Sequence, residues 1–223
     1  MRILIVAATA MELAPLAATL DPVPPTGRGA RLPRYTHAWH DIDMLITGVG
    51  MVATAAWCSR VLADTRYDLA LNVGVCGSFD PGLAPGTAVH VVSDRIAELG
   101  AEDDDRFLTI QDLNLVGEDV FVNAEPPRNT ALSLLPAVSG ITVNTVHGNE
   151  NSIAAVVHRF KPQVESMEGA GFMCACLLDG LPFAQVRAVS NVVEKRNRDA
   201  WKVTDAIASL GRAARDILET AWS

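Results

Sequence analysis

Three polar side chains stand out because they follow or begin apolar segments. Glu12 follows the first apolar run, Glu168 begins an otherwise uncharged segment over 168–178, and Asn191 ends a third apolar run beside Ser190. A carboxylate at the start of a buried helix must be paired, stabilised by the helix dipole or functional. The two glycines that follow Glu168 weaken a helix unless something needs the room, which favours a functional Glu168. Glu12 alone fits a helix cap equally well, and Ser190-Asn191 fits a plain turn as well as a ligand contact.

Two glycine-containing segments could approach a ligand with their backbone. Thr47-Gly48-Val49-Gly50 lacks the third glycine of a dinucleotide fingerprint, and Gly74-Val75-Cys76-Gly77 lacks the Gly-Lys-Ser/Thr of a phosphate loop. Glycine permits close approach of a ligand to the main chain, and it equally permits a tight turn between strand and helix. Neither segment predicts a nucleotide cofactor, and no cofactor is expected.

Periodicity predicts alternating strands and helices in a single domain over residues 1–223. Strands are expected at 2–8, 42–47, 69–73, 89–92, 141–146 and 183–190, and helices at 11–20, 51–63, 152–160, 168–178 and 199–221. This order predicts an α/β fold of three layers, α/β/α, around a central mixed, mainly parallel twisted sheet. The segment 107–136 has no pattern that supports an assignment.

Ligands of such sheets bind at the carboxyl ends of the strands. This rule directs attention to the positions just after Ala8, Thr47, Val73, Val146 and Ser190. Among the histidines, only His147 follows a predicted strand and could contact a ligand there.

Charge and composition exclude several classes of function. The chain has 18 Lys and Arg against 26 Asp and Glu, for a net charge of −8, which opposes binding to a nucleic-acid backbone. No apolar run reaches the roughly 20 residues of a membrane span, and the initial run is too short for a secretory signal. The four cysteines lack zinc-site spacing, so free thiols in a reducing cytoplasm are expected, and no metal site is predicted.

The motifs, taken in order, resemble a known family over nearly the whole chain. They are Glu12 after the first strand, Thr47-Gly48-Val49-Gly50-Met51, Gly74-Val75-Cys76-Gly77, Glu165-Ser166-Met167-Glu168-Gly169-Ala170 and Val186-Arg187-Ala188-Val189-Ser190-Asn191. This series is similar to the purine nucleoside phosphorylase and nucleosidase family, in the branch of the methylthioadenosine/S-adenosylhomocysteine nucleosidases. Within that branch, the segments 142–146 and 190–201 are most similar to the futalosine hydrolases.

The resemblance implies an activity and a set of partners. It implies an N-glycosidase that hydrolyses futalosine to hypoxanthine and dehypoxanthine futalosine in menaquinone biosynthesis. The expected partner is a small-molecule purine nucleoside, without cofactor, nucleic acid or membrane. The expected assembly is a homo-oligomer, a dimer or larger.

Roles of individual residues follow from the same resemblance. Glu12 matches the carboxylate that activates the attacking water, and Glu168 matches the carboxylate that holds the ribose hydroxyls. Met167 would pack against the sugar, while Arg187 and Ser190 would orient the side chain at position 191.

Three further positions, Val75, Cys76 and Gly77, match the wall beside the base. The methylthioadenosine nucleosidases of the family have Asp where this chain has Asn191. Asn has no titratable proton to deliver to purine N7, but it carries one donor and one acceptor side by side. That pair matches O6 and the protonated N7 of a 6-oxopurine, although Asn also pairs with N6 and N7 of adenine.

Three other functions remain open at this stage. The chain could be a methylthioadenosine/S-adenosylhomocysteine nucleosidase, or a phosphorylase whose phosphate site uses Arg28, Arg31 or Arg34. It could also bind a purine nucleoside without catalysis. Hydrolysis is favoured over phosphorolysis because no arginine follows the predicted glycine loops, and over pure binding because a binder has no use for a water-activating carboxylate.

Overall fold

A large mixed sheet organises the computed structural model, which describes residues 1–24, 32–116 and 119–222. The strands are β1 (Arg2–Ala7), β2 (Asp21–Val23), β3 (Arg34–His37), β4 (His40–Ile46), β5 (Leu69–Ser78), β6 (Ala88–Asp94), β7 (Gly100–Asp103), β8 (Arg106–Thr109), β9 (Phe121–Val122), β10 (Ala137–Thr142), β11 (Val164–Ser166) and β12 (Phe183–Val192). The helices are α1 (Ala10–Ala17), α2 (Met51–Asp64), α3 (Thr130–Ser133), α4 (Glu150–Phe160), α5 (Gly169–Asp179) and α6 (Val203–Glu219).

The sheet is mixed, as expected, but part of it is closed, which the expectation of a mainly parallel twisted sheet did not include. The strand order is β11-β10-β6-β12-β5-β1-β4-β3-β2, and β11 also pairs with β5. Strands β5, β12, β6, β10 and β11 therefore form a ring in which β12–β6 and β11–β5 are antiparallel. The reason is the length of β5, which was expected to end at Val73 but continues to Ser78 and so reaches β11. Closure pairs backbone groups that an open edge would expose.

Helices cover both faces of the open part of the sheet. On one face, α1 and α6 pack against side chains such as Ile3 and Ile5 of β1. On the other face, α2 and α5 pack against Leu4 and Val6 of the same strand. This alternation is what a strand buried on both faces requires, because successive side chains point to opposite sides.

The strand expected at 141–146 is displaced in the structure. Strand β10 ends at Thr142, and the chain then turns, with the Asn144 amide donating to the Glu98 carboxylate instead of a sheet partner. The β-branched residues beyond Thr142 imitate a strand pattern, and only the tertiary contacts end the strand. None of the described helices is both long and apolar enough to cross a membrane.

Candidate active site

A cavity of about 270 Å³ opens where several strands end. Every strand end named from the sequence contributes to its wall. Eight of the nine predicted site residues line it, the exception being Arg187. The lining residues are Ala8, Thr9, Met11, Glu12, Val49, Val75, Cys76, Gly77, Val146, His147, Glu165, Ser166, Met167, Glu168, Ser190, Asn191, Trp201, Val203 and Ile207.

Glu12 is a helix cap that also faces the cavity. Its Oε2 accepts hydrogen bonds from the backbone N and the hydroxyl of Thr9, at 3.0 and 2.9 Å. Its Oε1 accepts one from the backbone N of Val75 at 3.1 Å. A carboxylate offers about four acceptor positions, two on each oxygen. The three donors occupy both positions on Oε2 and one on Oε1, so one position on Oε1 remains. The side chain is only 6% exposed, so that position is directed into the cavity rather than into bulk solvent.

Glu168 immediately precedes α5 and is held from two sides. Its Oε1 accepts a hydrogen bond from the backbone N of Gly50 at 3.1 Å, and its Oε2 lies 3.5 Å from Nη1 of Arg187. Gly50 has a φ of 105°, a conformation that L side chains rarely adopt, so glycine at this position lets the loop present its N–H. The neighbouring Met167 lines the cavity beside this carboxylate.

Arg187 lies behind the cavity wall and does not contact Asn191. It is 1% exposed, and its Nη2 donates to Oδ1 of Asn72 at 2.5 Å. A Cβ at Gly74 would overlap Nη1 of Arg187 and lie 3.0 Å from Oε1 of Glu12. Glycine at 74 therefore makes room for the guanidinium, which stabilises Glu168 and not the side chain at 191.

The Ser190 hydroxyl fixes the orientation of Asn191. It lies 3.1 Å from the carbonyl oxygen of Cys76 and 2.8 Å from Oδ1 of Asn191. The amide Nδ2 of Asn191 donates to the carbonyl of Val192 at 2.9 Å, which uses one of its two protons. Burial raises the pKa of the Cys76 thiol to about 12, so this residue is a neutral wall.

Comparisons with known proteins show the family of the chain. A model of the phosphorylase superfamily matches residues 2–222. A futalosine hydrolase of Acidothermus cellulolyticus is 34% identical over 229 residues, which cover 98% of this chain and 91% of that protein. A futalosine hydrolase of Streptomyces coelicolor is 34% identical over 190 residues, covering 82% and 79%.

The chain belongs to the futalosine hydrolase family of the phosphorylase superfamily.

Solved structures show the same fold at lower sequence identity. A methylthioadenosine/S-adenosylhomocysteine nucleosidase from Colwellia psychrerythraea, in complex with adenine, superposes with a TM-score of 0.79 and 19% identity, covering 100% of this chain and 98% of that one. The futalosine hydrolase of Helicobacter pylori superposes with a TM-score of 0.76 and 12% identity, covering 98% and 97%.

In this member of the futalosine hydrolase family, sequence reasoning missed part of the cavity wall. Glu165 stands out in the sequence only as part of a motif, whereas His147, whose place after a predicted strand allows a ligand contact, does line the cavity. Trp201 lies in the connection before α6 and Ile207 in the first turns of that helix, and both line the cavity.

Of the three arginines considered for a phosphate site, Arg34 is described and does not line this cavity. Arg34 forms an ion pair with Asp43 at 3.2 Å and lines a separate cavity with Arg2. Arg28 and Arg31 lie outside the described residues. Among the described residues that line the active-site cavity, none is Lys or Arg.

Proposed function

We propose that this protein hydrolyses the N-glycosidic bond of futalosine and releases hypoxanthine and dehypoxanthine futalosine. The observation that carries the substrate is the 34% identity, over 98% of the chain, with a futalosine hydrolase. The cavity supports the reaction class, since Glu12 and Glu168 face one apolar space at the strand ends.

The two carboxylates have different roles: Glu168 binds the ribose hydroxyls, and Glu12 activates the water that attacks C1′. When the bond from C1′ to the purine nitrogen breaks, its electron pair leaves with the base and C1′ becomes cation-like, as in glycoside hydrolysis. Glu168, with free acceptor positions beside its contacts to Gly50 and Arg187, accepts hydrogen bonds from the ribose hydroxyls and places negative charge near C1′. The open acceptor position on Oε1 of Glu12 takes a proton from water as the water oxygen bonds to C1′.

Asn191 stabilises the departing base without donating a titrating proton. Overall, the hydroxyl of water goes to the sugar and one proton goes to the purine, so the atoms balance. Because an amide cannot act as the acid, the proton at N7 comes from solvent, and the amide holds the base through hydrogen bonds. An adenine nucleoside lacks O6 and gains less from this contact.

Hydrolysis is favoured over phosphorolysis by the charge of the cavity. Phosphate would enter as an anion beside Glu12 and Glu168, and the described wall offers no Lys or Arg to bind it. Arg187 lies behind the wall, where its Nη1 faces Glu168 and its Nη2 donates to Asn72. Water carries no such electrostatic penalty.

The protein is further proposed to act in the cytoplasm as a homo-oligomer in menaquinone biosynthesis. All four cysteines are free thiols, which supports a reducing compartment. Apolar side chains at and near the cavity mouth support an oligomer, because Met11, Val49 and Val52 are 62%, 59% and 77% exposed. Light scattering on the purified protein measures the assembly directly.

The reaction class is tested by incubating the purified protein with futalosine, with and without inorganic phosphate. Released hypoxanthine is quantified chromatographically, and the sugar product is identified by mass. The proposal expects equal rates in both conditions and an unphosphorylated sugar product. A requirement for phosphate, with a sugar phosphate formed, would make the enzyme a phosphorylase.

A further inference from the structure

Gly77 places two polar side chains opposite each other across the floor of the cavity. Strand β5 runs between β11 and β12, and Gly77 pairs with Glu165 on one side and with Asn191 on the other. A Cβ at Gly77 would lie 2.8 Å from Cγ2 of Val193, 3.3 Å from Nδ2 of Asn191 and 3.4 Å from Cγ of Glu165. Both side chains therefore lie over the same face of Gly77, and all three residues line the cavity.

Within the described part of the chain, the hydrogen bonds to the Glu165 carboxylate come from His147. Its Oε1 accepts a hydrogen bond from the His147 backbone N at 3.1 Å, and its Oε2 lies 2.6 Å from Nδ1 of the ring. A carboxylate has acceptor atoms only, so Nδ1 carries the proton of this bond. Phe79 packs edge-on against the ring, with 6.1 Å between centroids. The side chain of Glu165 is only 3% exposed, so its remaining acceptor positions are available to a ligand and not to bulk water.

Asn191 presents the complementary group. Because Oδ1 is turned towards the Ser190 hydroxyl, the end of the amide nearest Gly77 is the donor Nδ2. A planar ligand in the cavity thus meets a donor at Asn191 and an acceptor at Glu165.

This pattern fits a 6-oxopurine better than a 6-aminopurine. Hypoxanthine carries acceptors at N7 and O6, which match the Nδ2 donor of Asn191. It also carries a donor at N1–H, which matches the carboxylate acceptor of Glu165. Adenine has an unprotonated N1, which would face a carboxylate acceptor with a lone pair. A buried acceptor left without a donor costs more than an ordinary hydrogen bond contributes.

We propose that Glu165 accepts a hydrogen bond from purine N1–H and, positioned by His147, selects 6-oxopurines against 6-aminopurines. The inference rests on the proposed function only in taking the substrate to be a purine nucleoside. It is independent of the group on the ribose 5′ carbon and of hydrolysis itself. Glu165 is a specificity residue, and His147 is a positioning residue that acts through it.

Equilibrium binding of free bases tests the proposal without turnover. Calorimetry with hypoxanthine, 1-methylhypoxanthine and adenine compares ligands that do and do not offer N1–H. Since a hydrogen bond to a charged group contributes about 1.5–3 kcal/mol, the wild-type protein should bind hypoxanthine about 10- to 100-fold more tightly than either other base. Equal affinity for hypoxanthine and 1-methylhypoxanthine in the wild type would overturn the proposal without any variant.

The variant Glu165→Gln removes the charge at nearly constant volume. Its preference for hypoxanthine over adenine should fall about tenfold or more, mainly by loss of hypoxanthine affinity. The matched control is Glu98→Gln, which alters an exposed carboxylate that holds Asn144 of the same connection but lies outside this cavity. A folded Glu165→Gln variant with an unchanged preference would contradict the role.

The role of His147 is tested by comparing Asn with Phe at that position. The amide of His147→Asn can supply a donor near the place of Nδ1, whereas His147→Phe keeps the ring but supplies none. Base selectivity should be largely retained in the Asn variant and lost in the Phe variant, while a purely structural role would give both the same result.

If the wild type selects hypoxanthine but does not cleave futalosine, only the proposed function fails. If it cleaves futalosine but binds both oxopurines equally, only this inference fails.

Discussion

Nη1 of Arg187 lies 3.5 Å from Oε2 of Glu168, and both side chains are almost completely buried. Burying a carboxylate is unfavourable unless it is paired, and the guanidinium supplies that partner for Glu168. The pairing comes from behind the cavity wall and leaves acceptor positions of Glu168 facing the substrate. Asn72 holds the other end of the guanidinium, so the charge that positions Glu168 is itself fixed by β5.

Gly74→Ala is expected to disturb this pair specifically. The new Cβ would overlap Nη1 of Arg187, a buried guanidinium held by Glu168 and Asn72, so both stability and activity should fall. Overpacking of this kind costs about 1–3 kcal/mol, measured as a loss in urea unfolding free energy. Gly82→Ala is the matched control, because its Cβ meets only the flexible Asp80 side chain. Equal stability of the Gly74 and Gly82 variants would show that the Arg187 position is not constrained.

Glu12→Gln is expected to lower kcat far more than it changes substrate binding. An amide keeps much of the shape of the cap on α1 but cannot take a proton from water, and general base catalysis contributes about 10²–10⁴-fold. Steady-state kinetics with futalosine should show a fall of that size in kcat with KM changed only slightly.

The control for this prediction is Glu150→Gln. Glu150 lies in the first turn of α4, as Glu12 does in α1, but it is exposed and outside the cavity. Its kcat should remain that of the wild type. A Glu12→Gln variant that retains kcat would remove the water-activating role from this residue.

Much of the candidate site could be predicted from the sequence because its side chains follow strands. The sequence predicts that Glu168 is paired or functional, because a lone carboxylate before a buried helix needs a partner. In the structure, the partners are the backbone N of Gly50 and the guanidinium of Arg187. The partners themselves could not be predicted, because they come from the loop before α2 and from the distant strand β12. Arg187 was therefore expected to orient Asn191, a task that the Ser190 hydroxyl performs.

Asn191→Asp is expected to improve turnover of adenine nucleosides relative to hypoxanthine nucleosides. A carboxyl group can deliver a proton to N7, which an amide cannot do. The ratio of kcat/KM for methylthioadenosine to that for futalosine should therefore rise over the wild-type value. If adenine-nucleoside turnover is unchanged, the argument from the amide at 191 fails.

Asp94 makes stability depend on pH in a defined direction. Its carboxylate accepts hydrogen bonds from Thr142 and Gln185, beneath the start of α5, and burial raises its pKa to about 6 from 3.8. The folded state therefore binds this proton more tightly than the unfolded state does. Its contribution to stability is present below about pH 4 and is lost as pH rises to about 6.

Asp94→Asn should remove that pH dependence. The amide cannot ionise, and Gln185 can rotate so that its Oε1, which lacks a described partner, accepts from the new NH2 group. The melting temperature of the variant relative to the wild type should increase between pH 4 and 6.5. A constant difference over this range would show that Asp94 does not titrate there.

The role of Glu165 illustrates what the sequence could not reveal. Its strand, β11, is three residues long, and its pairing with β5 closes the sheet. Only this register places Glu165 across Gly77 from Asn191. Likewise, the turn after Thr142 that brings His147 to Glu165 interrupts a run whose composition is typical of a strand.

Substrate selectivity is the decisive test of the proposed hydrolysis of futalosine in this cavity. Purified protein is assayed without phosphate on futalosine, inosine and methylthioadenosine, and kcat/KM is obtained from the base released. We expect hypoxanthine release from futalosine with the largest kcat/KM, and at most weak adenine release from methylthioadenosine. Adenine release with a kcat/KM equal to or above that for futalosine would contradict it.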